Sequence, residues 1–364
     1  MHIFRVKLGH RHNGSMTTPS LHPYEQLTPD VVLDALAQVG LFGDGRLTAL
    51  SSYENRVYQA SLEDVDADAG AGTGLAAGDK VVLKFYRPGR WSEAQILEEH
   101  AFAAELMAAE IPMVGPLQLQ GRTLHQHAGF AFSVSPRRGG RRPELEDLSV
   151  LEWIGRLLGR IHRVGAVRSF AHRPALNPAT FGHASAQVLL DGEHLPLDMA
   201  SRWQRAFAEA MQVASGVWDE VHSLGGLQLI RLHADCHPGN ILWTPEGSAG
   251  AGPHFVDLDD ARSGPAVQDL WMLLSGERGQ QLQQLGALVD GYEEFGELDR
   301  RELRLIEVLR TLRLVHYSAW LAQRWTDPIF PINFPWFGSS DYWSGQVDML
   351  VDQTEAMQAA ALVA

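Results

Sequence analysis

The residues most able to do chemistry sit in one stretch, His233-Ala234-Asp235-Cys236-His237-Pro238-Gly239-Asn240, followed shortly by Phe255-Val256-Asp257. An Asp with an Asn five residues later, on a turn broken by Pro and Gly, can set a carboxylate at an acceptor hydroxyl and turn an amide back to a divalent cation. A second Asp completes such a site. The pattern predicts phosphoryl transfer: Asp235 orients the acceptor hydroxyl and takes its proton, while Asn240 and Asp257 hold magnesium.

Two short apolar runs must position these groups. Ile241-Leu242-Trp243 reads as a strand and His254-Phe255-Val256 as its partner. The Pro-, Gly- and Ser-bearing run 244–253 then becomes a hairpin loop that returns Asp257 beside Asn240. The phosphates need a cation, and Lys84 fits: it follows three apolar residues in Lys80-Val81-Val82-Leu83-Lys84-Phe85, a costly place for a charge without an anionic partner. Its candidate ion-pair partner is Glu99, on a helix predicted over 92–109, with Glu98 as the adjacent rival; the choice follows the kinase arrangement in which a strand Lys pairs with a helix Glu.

Upstream, an apolar stripe over 28–40 predicts a helix, and the runs 47–50, 56–60 and 80–85 predict antiparallel strands. Ser51-Ser52-Tyr53-Glu54-Asn55 joins the first two, where backbone N–H groups and hydroxyls can meet phosphate oxygens, although it contains no glycine. Residues 63–79, rich in Gly, Ala and Asp, read as a solvent loop. Leu117 to Leu119 with Phe130 to Val134 reads as a hairpin completing the sheet. Residues 135–142 break the periodicity and hand one lobe to the next; their basic run reads as a solvated linker. Beyond it the chain is mainly helical, with apolar faces over 151–164, 203–222 and 303–325. Asp269 either caps a short helix or bonds the backbone of the catalytic turn. The aromatic segment 330–343 reads as C-terminal packing.

The expected architecture is therefore α+β and bilobal: a flexible N-terminal segment over 1–20, in which Met16 is a candidate start; an N-lobe over 21–136 with an antiparallel nucleotide-binding sheet; and a helical C-lobe over 137–364. Lys plus Arg number 30 against 44 Asp plus Glu, a net charge of −14, which repels polyanions and argues against nucleic acid. One cysteine, Cys236, supports no internal disulfide and reads as a small filler. The N-terminus lacks the pattern of a signal peptide, and no window approaches the roughly 20 apolar residues of a membrane span. The chain reads as cytoplasmic.

A zinc or iron site made of His233, His237, Asp235 and Asp257 suits the residue types but leaves Lys84 and the sheet unexplained. Asp259 and Asp260 rival Asp257 for the cation and lose because Asp257 follows the strand directly. His100, His125, His127 and His162 show no site pattern, and His233 is expected to pack beneath the turn.

The runs 52–59, 84–88, 96–100, 235–243, 255–262, 264–274 and 333–336 closely resemble the bacterial stress response kinase A family, grouped with aminoglycoside and choline phosphotransferases in the protein-kinase-like fold. The likeness spans about residues 22–343. It implies a cytoplasmic, monomeric serine/threonine protein kinase that uses ATP and magnesium and acts in stress response. It also implies Asp235 as proton acceptor, Asn240 and Asp257 as magnesium ligands, Ser52 in the ATP site, and a protein acceptor that includes the chain itself as a candidate. Where long protein kinases carry Arg the chain has Ala234, and it leaves no room for an activation loop before Gly264, so loop phosphorylation is not expected to regulate it. A small-molecule kinase using the same machinery is the alternative; a dead nucleotide-binding relative is disfavoured because Lys84, Asp235, Asn240 and Asp257 are all present.

Overall fold

In the computed structural model, residues 22–363 are described, apart from 246 and 249; the segment 1–20 lies outside them. Helix α1 (Pro29–Gln38) starts where the Thr28 side chain accepts from the Val31 N–H. Its buried Val32, Ala35 and Leu36 pack on a sheet of β1 (Leu41–Leu50), β2 (Arg56–Val65), β3 (Lys80–Phe85), β4 (His125–His127) and β5 (Phe130–Pro136). The order is β1-β2-β3-β5-β4, antiparallel throughout. Alternation along β3 buries Val81, Leu83 and Phe85 in this core and leaves Lys84 on the opposite face, toward the cleft.

Two expectations need correcting here. Residues 63–79 are not a solvent loop: β2 continues to Val65, α2 (Ala67–Thr73) follows, and Ala69 is buried, because small Ala and Gly side chains let a short helix lie against the sheet edge. The strand completing the sheet is His125–His127, not 117–119, whose Leu117 contributes one backbone bond to Val134. A polar strand at a sheet edge carries little apolar signal.

Helix α3 (Glu93–Ala108) begins with a capping box between Ser92 and Gln95, which fixes its start and so the height of Glu99 beside the sheet. The linker after β5 is tied to both lobes: Arg137 N–H donates to Lys80 O at 3.0 Å, and Arg141 exchanges backbone bonds of 3.0 and 2.7 Å with Trp243.

The second lobe contains α4 (Leu148–Gly165), a π-helical turn (Pro178–His183), α5 (Ala184–Asp191), α6 (Leu197–Ser223), β6 (Ile230–Leu232), β7 (Ile241–Thr244), β8 (Gly252–Phe255), β9 (Arg262–Gly264), α7 (Gln268–Trp271), α8 (Arg278–Glu293), α9 (Ile306–Arg324), α10 (Ile329–Asn333) and α11 (Ser340–Gln358). One large core runs through them. Helices α4 and α8 approach to backbone contact: a Cβ added at Gly155 or Gly291 would enter the van der Waals shell of the Leu288 or Glu152 carbonyl. Among the described residues no helix is long and apolar enough to cross a membrane.

Candidate active site

The turn 233–240 connects β6, paired with β9, to β7, paired with β8, so two small ribbons hold both its ends. Ala234 has φ +67°, and Asp257, just beyond β8, has φ +63°. Each non-glycine residue in this region costs about 1–2 kcal/mol, so surrounding contacts must hold both loops. For Ala234 the holder is Asp269. Its fully buried carboxylate accepts from His233 N–H at 2.9 Å and from Ala234 N–H at 2.7 Å, and its Oδ2 lies 3.1 Å from His162 Nε2. Of the two roles open to Asp269, the structure shows the bond to the turn. His162, without pattern in the sequence, belongs to this support and also meets the Tyr292 hydroxyl at 3.0 Å.

His233 is buried, with Nε2 2.9 Å from Val256 O, and Val256 N–H donates to Asn240 O at 3.0 Å. These two bonds on either side of Val256 join the turn to the segment carrying Asp257. They commit His233 Nε2 to backbone, while its Nδ1 stays buried without a partner among the described residues. Among the described residues no three or more His, Cys, Asp or Glu converge as a metal-holding group. Within the turn, Asn240 Nδ2 donates to Asp235 O at 3.0 Å. Asn240 Oδ1 then remains a hard oxygen donor. Cys236 is fully buried, and burial drives its thiol pKa well up, which fits a filler and not a nucleophile.

Lys84 Nζ lies 3.0 Å from Asp257 Oδ1, 3.0 Å from Asp259 Oδ1 and 3.4 Å from Glu99 Oε1. Burial works against its charge, but Asp257, Asp259 and Glu99 prevail and hold the ammonium well above its ordinary pKa. Glu99, raised by burial, is shared with Arg173 at 2.8 Å. Glu98 instead accepts the backbone N–H groups of Ala171, His172 and Arg173, which settles the choice between the two glutamates for the contact to Lys84. Asp257 keeps a half-exposed side chain, whereas Asp259 is buried against Arg90 and Asp260 is bound by Arg90 and Arg262. Of the three aspartates, Asp257 has a carboxylate open to the cleft.

Ser52 lies in the β1–β2 connection. The pairing of Val57 with both Leu50 and Lys84 puts this connection at the Lys84 end of the sheet. Its neighbours bind the other lobe. Glu54 accepts from Trp320 and, at 2.9 Å, from Arg324 Nε, while Tyr53 meets Phe334 edge-on at 5.0 Å. Asp327, buried, is bonded by Arg56 at 2.9 Å and Arg87 at 2.6 Å. The aromatic segment does pack the C-terminal region, through fully buried Phe330 and Trp343, and it also reaches this connection.

Sequence reasoning missed Arg313. Its guanidinium, on α9, lies 2.9 Å from Asp235 Oδ1, while His237 Nε2 lies 3.5 Å from Oδ2. An Arg on the polar face of a long amphipathic helix resembles any solvated charge; only the fold brings it to Asp235.

The arrangement offers a lysine for anionic phosphates, two hard oxygen donors for a divalent cation, and a carboxylate at the cleft floor. The model of the Phosphotransferase enzyme family matches residues 46–306. The chain is 42% identical over 339 residues to Stress response kinase A of Escherichia coli (strain K12), covering 93% of this chain and 96% of that protein. It is also 42% identical over 334 residues to the serine/threonine protein kinase RdoA of Salmonella typhimurium (strain LT2), covering 92% and 94%. Among solved structures, amicoumacin kinase hAmiN in complex with AMP-PNP, Ca2+ and Ami superposes with a TM-score of 0.65 at 19% identity, covering 90% of this chain and 92% of that one. A microcompartment-associated aminopropanol kinase gives 0.63 at 16% identity, covering 90% and 97%. The bilobal α+β fold is thus kinase-like, and the chain belongs to the Phosphotransferase enzyme family, alongside stress response kinase A.

Proposed function

We propose that this chain transfers the γ-phosphoryl group of ATP, with magnesium, to serine or threonine hydroxyls of proteins, as a cytoplasmic monomer serving a stress response. The observation that carries the reading is the junction at Val256, which fastens the turn bearing Asp235 and Asn240 to the segment whose Asp257 pairs with Lys84. The protein acceptor is supported by the 42% identity to relatives named as a stress response kinase and a serine/threonine protein kinase.

In this reading Lys84 binds the nucleotide's phosphates, with Glu99 holding the ammonium in place, and the connection around Ser52 covers them. Asn240 Oδ1 and the open Asp257 carboxylate suit magnesium, a hard cation that keeps several waters and phosphate oxygens. Bound there, the ion would neutralise phosphate charge. Asp235 orients the acceptor hydroxyl and takes its proton, and Asp269 keeps the turn in the geometry this needs.

The test is to incubate the protein with labelled ATP and magnesium beside casein, choline, ethanolamine and an aminoglycoside. Label on casein or on the chain itself is expected. Transfer confined to the small alcohols would replace the protein acceptor with a small molecule, and ATP binding without turnover would overturn the catalytic reading.

A further inference from the structure

The transition state of phosphoryl transfer spreads negative charge over the moving group, and a cation beside it is worth several powers of ten in rate. The turn itself supplies none, because Ala234, Cys236, His237, Pro238 and Gly239 surround Asp235. Nearby cations are mostly committed. Lys84, which the reading above gives to the nucleotide's phosphates, has three carboxylates, Arg87 has Glu54 and Asp327, Arg90 has Asp259 and Asp260, and Arg324 has Glu54.

Arg313 differs. Its side chain is 40% exposed, and its ionic contact is to Asp235 at 2.9 Å. It stands beside His237 as well, whose Nε2 lies 3.5 Å from the other oxygen of the same carboxylate. The guanidinium therefore sits on the turn itself, held from α9 by the carboxylate that faces the acceptor.

We propose that Arg313 is a catalytic arginine supplied in cis, which moves from Asp235 Oδ1 to the transferring phosphoryl group when nucleotide and acceptor are bound. The proposal rests on the phosphotransferase reading above. The acceptor oxygen forms its bond to the γ-phosphorus while the bond from that phosphorus to the β,γ-bridging oxygen breaks. The bridging electron pair stays on ADP, and the hydroxyl proton passes to the Asp235 carboxylate that Arg313 has vacated. The guanidinium thus exchanges one anion for another.

The experiment compares wild type, Arg313→Ala and Arg313→Lys in transfer to casein, or to whichever alcohol of the panel above wild type phosphorylates. Each is also titrated with Mg-ADP alone and with Mg-ADP plus aluminium fluoride, a mimic of the transferring group. Arg313→Ala is expected to lose about 100- to 1,000-fold in kcat and a similar factor in fluoride-complex affinity, with ADP affinity and Tm held. Arg313→Lys should fall between, because it keeps charge without the fork. A kcat for Arg313→Ala at or above wild type would overturn the proposal and make Arg313 a lock on the carboxylate. Equal losses in ADP affinity, Tm and kcat for both variants would overturn it too, as a structural contact. Inactive wild type with every acceptor would sink the reading beneath it instead.

Discussion

Replacing Asp269 with Asn isolates the support of the catalytic turn, because this side chain faces backbone and His162 and lies beneath the turn, away from the cleft. Both carboxylate oxygens accept from buried backbone N–H groups, at 2.9 and 2.7 Å. An amide offers one oxygen, so one of the two N–H groups must face an NH2. A buried unmet donor costs about 1–3 kcal/mol. Loss of the charge weakens the remaining bond by roughly 1 kcal/mol more. The sum is roughly 3 kcal/mol, a large share of the 5–15 kcal/mol typical of a folded domain. It falls on a turn whose Ala234 already holds φ +67°. Displacing Asp235 by even 1 Å should lower kcat about 100-fold, with ATP affinity within about threefold. Urea denaturation read at several wavelengths gives the stability, and steady-state transfer gives kcat. A loss below about 1 kcal/mol together with wild-type kcat would refute the claim that Asp269 holds the turn.

Three further outcomes follow from the same structure. Glu302, buried and accepting from Val267 N–H at 3.0 Å, has its carboxyl pushed up from the ordinary 4.5 to about 7 by burial. The folded state therefore binds this proton more tightly than the unfolded state, and a contribution of roughly 3 kcal/mol, complete below pH 4.5, is lost as pH rises through about 7. Glu302→Gln should flatten stability between pH 5 and 8 in urea titrations, and an unchanged slope would show that another group governs it. Asp257→Asn should weaken ATP binding in the presence of magnesium and leave magnesium-free binding little altered by calorimetry; equal affinity in magnesium would remove Asp257 from the cation site. Gly155→Ala should destabilise by about 3 kcal/mol, because its methyl would meet the Leu288 carbonyl where α4 crosses α8, and a cost under 1 kcal/mol would mean the helices part easily.

Much of the site was legible because it is local. Asp235 and Asn240 are separated by one turn, Asp257 follows a strand that pairs with the neighbouring one, and Lys84 stands out as a charge after three apolar residues of a strand. What escaped was the support, whose partners are far apart in the chain. His162 to Asp269, Arg313 to Asp235 and Arg87 to Asp327 each join segments about 80 to 240 residues apart. The edge strand His125–His127 was missed for another reason: its residues are polar, and its bonding depends on Phe130–Phe132 opposite. The run 63–79 was misread because acidic residues pointing to solvent masked a strand end and a helix packed through Ala69.

The central claim is that Asp235 acts on the acceptor while Lys84, Asn240 and Asp257 hold the nucleotide and its cation. Its most direct test is Asp235→Asn, measured in one preparation for phosphoryl transfer and for Mg-ATP affinity. Transfer is expected to fall at least about 100-fold while affinity stays within about threefold. Transfer at the wild-type rate would contradict the claim.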